Sequence, residues 1–121
     1  MSVRKPGVRG ARAGEGPRPG RPVRGSQSGR PIMALLDLLG RRWALRVIWE
    51  LRGGAPSFRT LQQRCDGVSP SVLSARLAEL REAGVLAPHA GEGYRLTREG
   101  AGLLAALAPL DAWAKGWARR G

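Results

Sequence analysis

The sequence predicts a mostly α-helical domain that carries one small β-hairpin. Apolar residues recur at spacings of three and four along four short segments and one long segment, which is the period of a helix with one buried face. Two short apolar runs flank a glycine-containing loop ahead of the long segment, a pattern typical of a hairpin. Serine, threonine or glycine, which favour helix ends, stand between these segments.

Composition divides the chain at about residue 30. The first 30 residues contain seven Gly, four Pro, eight Lys or Arg and one acid, Glu15, so they hold +7 of the formal net charge of +12. They have too few large aliphatic residues to offset the entropy of ordering. We therefore expect a disordered basic arm (residues 1–30) followed by one folded domain (residues 31–121). Two interpretations of the arm stay open: a solvated extension without a role, including a start codon assigned too early, or an arm that contacts phosphates or a minor groove.

Three short helices are predicted between residues 31 and 65. Gly40 and Gly53 end the first two, and the Ser57 hydroxyl caps the start of the third. We expect Trp43 and Trp49 in the core. The apolar positions are Ile32, Leu35, Leu36 and Leu39 in the first helix, Trp43, Val47, Ile48 and Leu51 in the second, and Phe58, Leu61 and Cys65 in the third.

The fourth predicted helix, residues 69–83, has a face that suits contact with DNA. Ser69 is a good N-cap, and Pro70 lacks only an amide hydrogen that the first turn of a helix leaves unpaired. Leucines share one side, and the opposite side is small and hydroxylated, so it can approach base edges closely. A solvated helix face is the alternative interpretation. The leucines are Leu73, Leu77 and Leu80, and the outward positions are Ser71, Ser74, Ala75, Ala78 and Glu82, flanked by Arg76 and Arg81.

The remaining elements complete a winged helix-turn-helix. Residues 66–68 form a short glycine-containing turn between the third and fourth helices, and residues 85–89 and 94–96 form the hairpin, or wing. Thr97 then caps a long helix, which Pro109 should bend or break near Ala108. The apolar stripe of that helix consists of Leu103, Leu107, Leu110, Trp113 and Trp117.

Charge and composition narrow the function classes. A net charge of +12 and a pI near 11.8 favour nucleic acid or an acidic membrane surface as partner. No apolar run approaches the roughly 18 residues of a membrane span, and no apolar segment that could act as a signal peptide follows the basic N-terminus. One Cys and one His leave too few ligands for a metal site, we expect no cofactor, and the lone Cys fits a reducing cytosol. An enzyme has almost no support, because no nucleophile–base pair, phosphate-binding glycine motif or paired carboxylates occur.

We expect double-stranded DNA as the partner. A sequence-specific regulator is the leading interpretation, and a winged-helix module with an architectural or protein-binding role and non-specific DNA affinity is the alternative. For Arg95, and for Arg41 and Arg42, phosphate contact and simple solvation stay equally open. The predicted DNA contacts are Ser69, Ser71, Ser74, Ala75, Arg76, Arg81, Arg59 and Arg95.

Five segments in this order resemble HxlR-type regulators, which are MarR-related winged-helix proteins of bacteria. They are residues 36–43 (LDLLGRRW), 58–61 (FRTL), 68–73 (VSPSVL), 80–86 (LREAGVL) and 94–97 (YRLT). The resemblance implies a homodimeric transcription factor on a pseudo-palindromic operator, with the fourth helix in the major groove, the wing near an adjacent minor groove, and the first and last helices at the dimer interface. It neither implies nor excludes a small-molecule effector.

The large apolar side chains at every turn of the last helix agree with a homodimer, because a domain of this size has little room to bury them within one chain. The residues expected at the interface are Leu35, Leu103, Leu107, Leu110, Trp113 and Trp117.

The chain departs from the family pattern in two places. Relatives that sense oxidants often carry Cys-Pro just ahead of the first helix, where this chain has Arg30-Pro31. The lone Cys65 lies on an apolar stripe, so we expect a buried thiol with a raised pKa and no redox role. The wing is also shorter than is usual in the family, so it should make fewer contacts with DNA, and the basic arm is a candidate to replace them.

Overall fold

The computed structural model describes Pro19 and residues 30–120. Nearly all of the predicted arm lies outside these residues. The element order confirms the predicted fold class, mostly helical with one antiparallel hairpin. The elements are α1 (Pro31–Leu39), α2 (Ala44–Glu50), α3 (Phe58–Arg64), α4 (Pro70–Glu82), β1 (Leu86–Pro88), β2 (Tyr94–Leu96) and α5 (Arg98–Arg120).

Hydroxyl caps begin three of the helices where the sequence predicts them. The Ser57 Oγ accepts a hydrogen bond from the Thr60 amide at 3.1 Å, and the Ser69 Oγ accepts one from the Val72 amide at 3.2 Å. The Thr97 Oγ1 accepts one from the Gly100 amide at 3.0 Å. Each such cap stabilises a helix start by about 1 kcal/mol. The starts of α3, α4 and α5 are therefore fixed by local chemistry.

The core lies between α2, α3, α4 and the hairpin, and α4 contributes its leucines to it. Covering a leucine side chain contributes about 2 kcal/mol, so the three leucines of α4 hold this helix firmly against the body. Burial raises the pKa of the Cys65 thiol, as expected; Arg46 opposes this shift and Glu50 adds to it. The core consists of Leu38, Val47, Ile48, Leu51, Leu61, Cys65, Val68, Leu73, Leu77, Leu80, Val85 and Leu86.

The hairpin is attached to the body at two glycines. β1 and β2 pair in the register Leu86 to Leu96, and the Tyr94 amide donates to the Pro56 carbonyl at 3.0 Å. A Cβ at Gly93 would collide with the Ala55 carbonyl oxygen, and one at Gly100 would collide with the Val85 carbonyl oxygen. The backbones approach closely at both places, so a residue with a side chain would not fit at either glycine without a shift of the backbone.

Two expectations about the helices are met only in part. α5 runs unbroken through Pro109. The carbonyl without an amide partner there belongs to Ala105, and both residues are exposed, so water can satisfy that oxygen and little packing opposes the ring. Trp43 and Trp49 are half-buried rather than fully in the core: Trp43 packs against its edge, and the Arg52 guanidinium covers the ring of Trp49 at 4.1 Å from its centroid.

Within residues 30–120, no helix has the length and apolar character needed to cross a bilayer. Over the same residues, no three His, Cys, Asp or Glu side chains form a group that could hold a metal ion.

Candidate nucleic-acid interface

The outer face of α4 is small, hydroxylated and open to solvent. Ser71 and Ser74 are exposed, and Ala75 is partly exposed, while the leucines on the opposite side are buried. Ser69 is also exposed, and its Oγ lies 3.5 Å from the Ser71 Oγ. No long side chain from these four positions stands between the helix backbone and solvent. A helix of this shape can enter a groove closely enough for its backbone and hydroxyls to meet base edges and phosphates.

The turn ahead of α4 aims the helix outward. Gly67 adopts φ +96°, which side-chain-bearing residues rarely adopt, and so lets the chain reverse within three residues. The Gln62 Nε2 donates to the Val68 carbonyl at 3.4 Å across this turn. Arg59 is exposed on α3. The two helices and the turn form the helix-turn-helix that the sequence predicts, with α3 ahead of α4.

Arg81 lies on the side of α4 that faces the wing. It borders a crevice of about 170 Å³ that Ser74, Leu77, Ala78 and Tyr94 also line. Arg81 is exposed, and within residues 30–120 its guanidinium has no hydrogen bond or ion pair. Hydroxyls and guanidinium groups are among the donors that commonly contact DNA phosphates in protein–DNA complexes.

Tyr94 is a candidate that the sequence reasoning missed. The alternation of β2 carries the signal, because Tyr94 and Leu96 share the face that packs against the body, whereas Arg95 is exposed on the other face. The wing loop, residues 89–93, is closed by a 2.8 Å hydrogen bond from the His89 amide to the Gly93 carbonyl. His89 and Arg95 are both exposed on this short wing.

Arg76 has a different environment from Arg81, although both flank the outer face of α4. Its Nε donates to the Arg42 carbonyl at 2.9 Å, and a terminal nitrogen pairs with the Glu79 carboxylate at 2.7 Å. Its side chain is only 18% exposed. The structure therefore directs Arg76 toward the α1–α2 turn and away from the serines with which the sequence grouped it.

Glu79, Asp37 and Arg41 join Arg76 in a set of charges whose two carboxylates are buried and whose two arginines are partly exposed. Arg41 donates to Glu79 at 3.0 Å and to Asp37 at 3.3 Å, and both carboxylates are nearly inaccessible to solvent. We call these four residues, Asp37, Arg41, Arg76 and Glu79, the charge network. Two helical spacings, Asp37 to Arg41 and Arg76 to Glu79, are a weak sequence signal for it, but no spacing indicates the pairing of Arg41 with Glu79.

The residues predicted at a dimer interface fall into two groups. Leu103 packs against the core of its own chain, and Leu35 and Leu107 are half-buried. Beyond Leu107, α5 turns large apolar side chains to solvent. Leu110, Trp113 and Trp117 are 56–60% exposed, and the two indole rings stack at 5.6 Å between centroids. Ile32 and Leu36 of α1 are also more than half exposed.

Comparison with known proteins establishes the family. A family model described as HxlR-like helix-turn-helix matches residues 38–121. The chain belongs to the HxlR family. It is similar to YvaP, an HTH-type transcriptional regulator of Bacillus subtilis, with 32% identity over 89 residues that cover 68% of this chain and 82% of YvaP.

Solved structures agree with this assignment. Quinone-bound YodB from B. subtilis matches with a TM-score of 0.65 and 28% identity, covering 70% of this chain and 94% of that one. A MarR-family transcriptional regulator from Enterococcus faecalis matches with a TM-score of 0.66 and 28% identity, covering 74% and 86%. This HxlR protein is therefore a transcriptional regulator with a helix-turn-helix DNA-binding domain, and not an enzyme.

Proposed function

We propose that this HxlR protein is a homodimer that binds a pseudo-palindromic operator, with α4 in the major groove and the short wing beside it. One observation carries the proposal: α4 buries its leucines and presents an outer face of serines and alanines to solvent. A face of this kind presents hydroxyls and little bulk to base edges. A helix that only covers the surface of a protein would not need so small an outer side.

The proposed contacts divide by the chemistry of the side chains. Residues in the first turns of α4 contact base edges, because that end of a recognition helix enters the groove. Arginines around it contact phosphates, which sets affinity and orientation. The residues proposed to contact base edges are Ser69, Ser71, Ser74 and Ala75. The residues proposed to contact phosphates are Arg59, Arg81, Arg95 and Tyr94, which lines the same crevice as Arg81.

We propose that a second copy of the chain buries the exposed apolar residues of α1 and α5. Leu110, Trp113 and Trp117 form one stripe along α5, and Ile32 and Leu36 add apolar surface on α1. A two-fold dimer brings the same patch together from both subunits. The resulting symmetry explains why the operator should be pseudo-palindromic, since each α4 contacts one half-site.

Selection from a library of random duplexes tests the proposal. The wild-type protein should enrich one sequence with two related half-sites, and it should bind that duplex roughly 10³-fold or more tightly than a scrambled duplex at the same salt. Substitution of Ser71 and Ser74 by glutamate should abolish this preference, and the control Ala101→Glu, at an exposed position of α5 outside the proposed contacts, should keep it. A protein that binds both duplexes alike would be a non-specific module instead.

A further inference from the structure

We infer that the charge network positions the recognition helix relative to α1, and thereby sets the half-site spacing that the dimer accepts. Within it, Arg76 is a positioning residue rather than a DNA contact. The inference rests on the proposed function, since a spacing exists only for a dimer on an operator.

The network joins three separate segments of the chain. Asp37 lies in α1, Arg41 and the Arg42 carbonyl lie in the turn that follows, and Arg76 and Glu79 lie in α4. The Glu79 carboxylate receives a different arginine at each oxygen, Arg41 at Oε2 and Arg76 at Oε1. A carboxylate held on both oxygens has a fixed orientation. The rotation of α4 about its own axis is therefore tied to the position of the turn.

The turn itself is a defined structure. Trp43 adopts φ 75°, a left-handed conformation that residues with side chains rarely adopt, immediately after the carbonyl that accepts from Arg76. Such a conformation persists only where the surroundings hold it. The Arg76 hydrogen bond and the packing of the Trp43 ring against the core both act on this turn. The turn at the α1 end of the network is therefore held by a hydrogen bond and by packing as well as by the ion pairs.

Because its two carboxylates are buried, the network should affect the orientation of α4 more than the free energy of unfolding. Asp37 and Glu79 are 7% and 5% exposed. Buried ion pairs lose most of their attraction to desolvation, and apolar residues of similar size often give an equally stable protein. The better supported use of such groups is to select one arrangement among several, because a shifted helix would leave a buried charge without its partner.

The position of α1 connects this geometry to DNA. The same short helix presents Ile32 and Leu36 to solvent, at the surface proposed for the second subunit, and sends Asp37 into the network. In the proposed dimer, one path from one α4 to the other runs through the charge network and the α1 helices, beside the path through α5. A change in the network therefore alters the distance between the two recognition helices. Half-sites of DNA repeat about every 34–36 Å, so an error in that distance weakens binding.

The test uses the duplex enriched from the random library by the wild-type protein. Binding is measured to that duplex and to versions in which one or two base pairs are added or removed between the half-sites. The variants are Arg76→Lys, which keeps the charge but cannot donate to both partners in the same way, and Asp37→Asn at the other end of the network. Arg81→Ala is the matched control, because Arg81 flanks α4 and lies outside the network.

Arg76→Lys and Asp37→Asn should lower the preference for the wild-type spacing by about tenfold, within the range measured for residues that share a network. Their dependence of log affinity on log salt should stay that of the wild type. Arg81→Ala should weaken binding at every spacing and flatten that dependence. If circular dichroism shows that the Asp37→Asn protein is unfolded, the spacing preference of Arg76→Lys alone tests the inference.

Two results separate failure of the inference from failure of the proposed function. If both network variants keep the wild-type spacing profile, or if Arg76→Lys loses affinity equally at all spacings with a lower salt slope, the inference is overturned and operator binding stands. If the wild-type protein enriches no duplex, the proposed function fails and the inference falls with it.

Discussion

The substitution Trp117→Ala should shift this protein from dimer toward monomer. Trp117 is 60% exposed on α5 and stacks on Trp113. A tryptophan side chain has roughly 250 Å² of surface that can be buried, so roughly 150 Å² of Trp117 is exposed and available to a partner chain. Alanine removes about 100 Å² of that surface from each protomer, and a two-fold dimer loses it twice.

The expected size of the effect follows from this area. At about 25 cal/mol/Å², full cover of the removed surface would contribute about 5 kcal/mol to the dimer. With about half of it covered, Trp117→Ala costs about 2.5 kcal/mol, which raises the dimer Kd by about seventyfold. Loss of the stack on Trp113 acts in the same direction, because stacked aromatic pairs add about 1 kcal/mol beyond their area.

Sedimentation equilibrium over a range of protein concentrations measures this shift directly. Trp117→Phe should show a smaller loss, since it keeps an aromatic ring, and Arg95→Ala should keep the wild-type dimer, since Arg95 lies on the wing. A Trp117→Ala protein that dimerises within twofold of the wild type would place the interface elsewhere. The exposed stripe of α5 would then need a different partner.

Three other outcomes are expected. Arg81→Ala should lower operator affinity and reduce the slope of log affinity against log salt by about 1.8, which is about 0.9 for the phosphate that each protomer's Arg81 contacts, and an unchanged slope would remove Arg81 from the phosphate-binding residues. Deletion of residues 1–30 should flatten the same slope by about 0.9 for each phosphate that the arm neutralises in the full chain, whereas a truncated protein with the full slope would leave the arm without a role in binding. Cys65 should react with a thiol reagent only on unfolding, because burial raises its pKa and keeps the neutral thiol through neutral pH and above. Rapid labelling of the folded protein at pH 8 would contradict this and reopen a redox role for Cys65.

Local patterns were sufficient to predict the elements of this fold. Ser57, Ser69 and Thr97 cap helices where their hydroxyls and the following apolar period predict a start. The leucines of α4 are buried because the three- and four-residue spacings leave them on one side of any regular helix. The continuity of α5 through Pro109 has a physical reason as well. A missing hydrogen bond ends a helix only where nothing else satisfies the freed carbonyl, and on exposed α5 water can do so.

The candidate site was predictable only in part. The outward direction of Ser71 and Ser74 follows from the period of α4 alone. The roles of Arg76 and Arg81 do not, because both flank the same face at similar angles from the leucines. What separates them is the neighbour on each side: Glu79 and the α1–α2 turn beside Arg76, and the open crevice at Tyr94 beside Arg81.

The amino-acid sequence by itself determined the helices, the wing, the basic charge and the small face of α4, since each depends on residues within a few positions of one another. Only the tertiary structure decided which arginine is held in ion pairs and which lies open to solvent, because Arg41 and Glu79 stand 38 residues apart and meet only when the chain folds. A side chain's partners depend on what lies across the interior, and helical spacing carries no information about that distance.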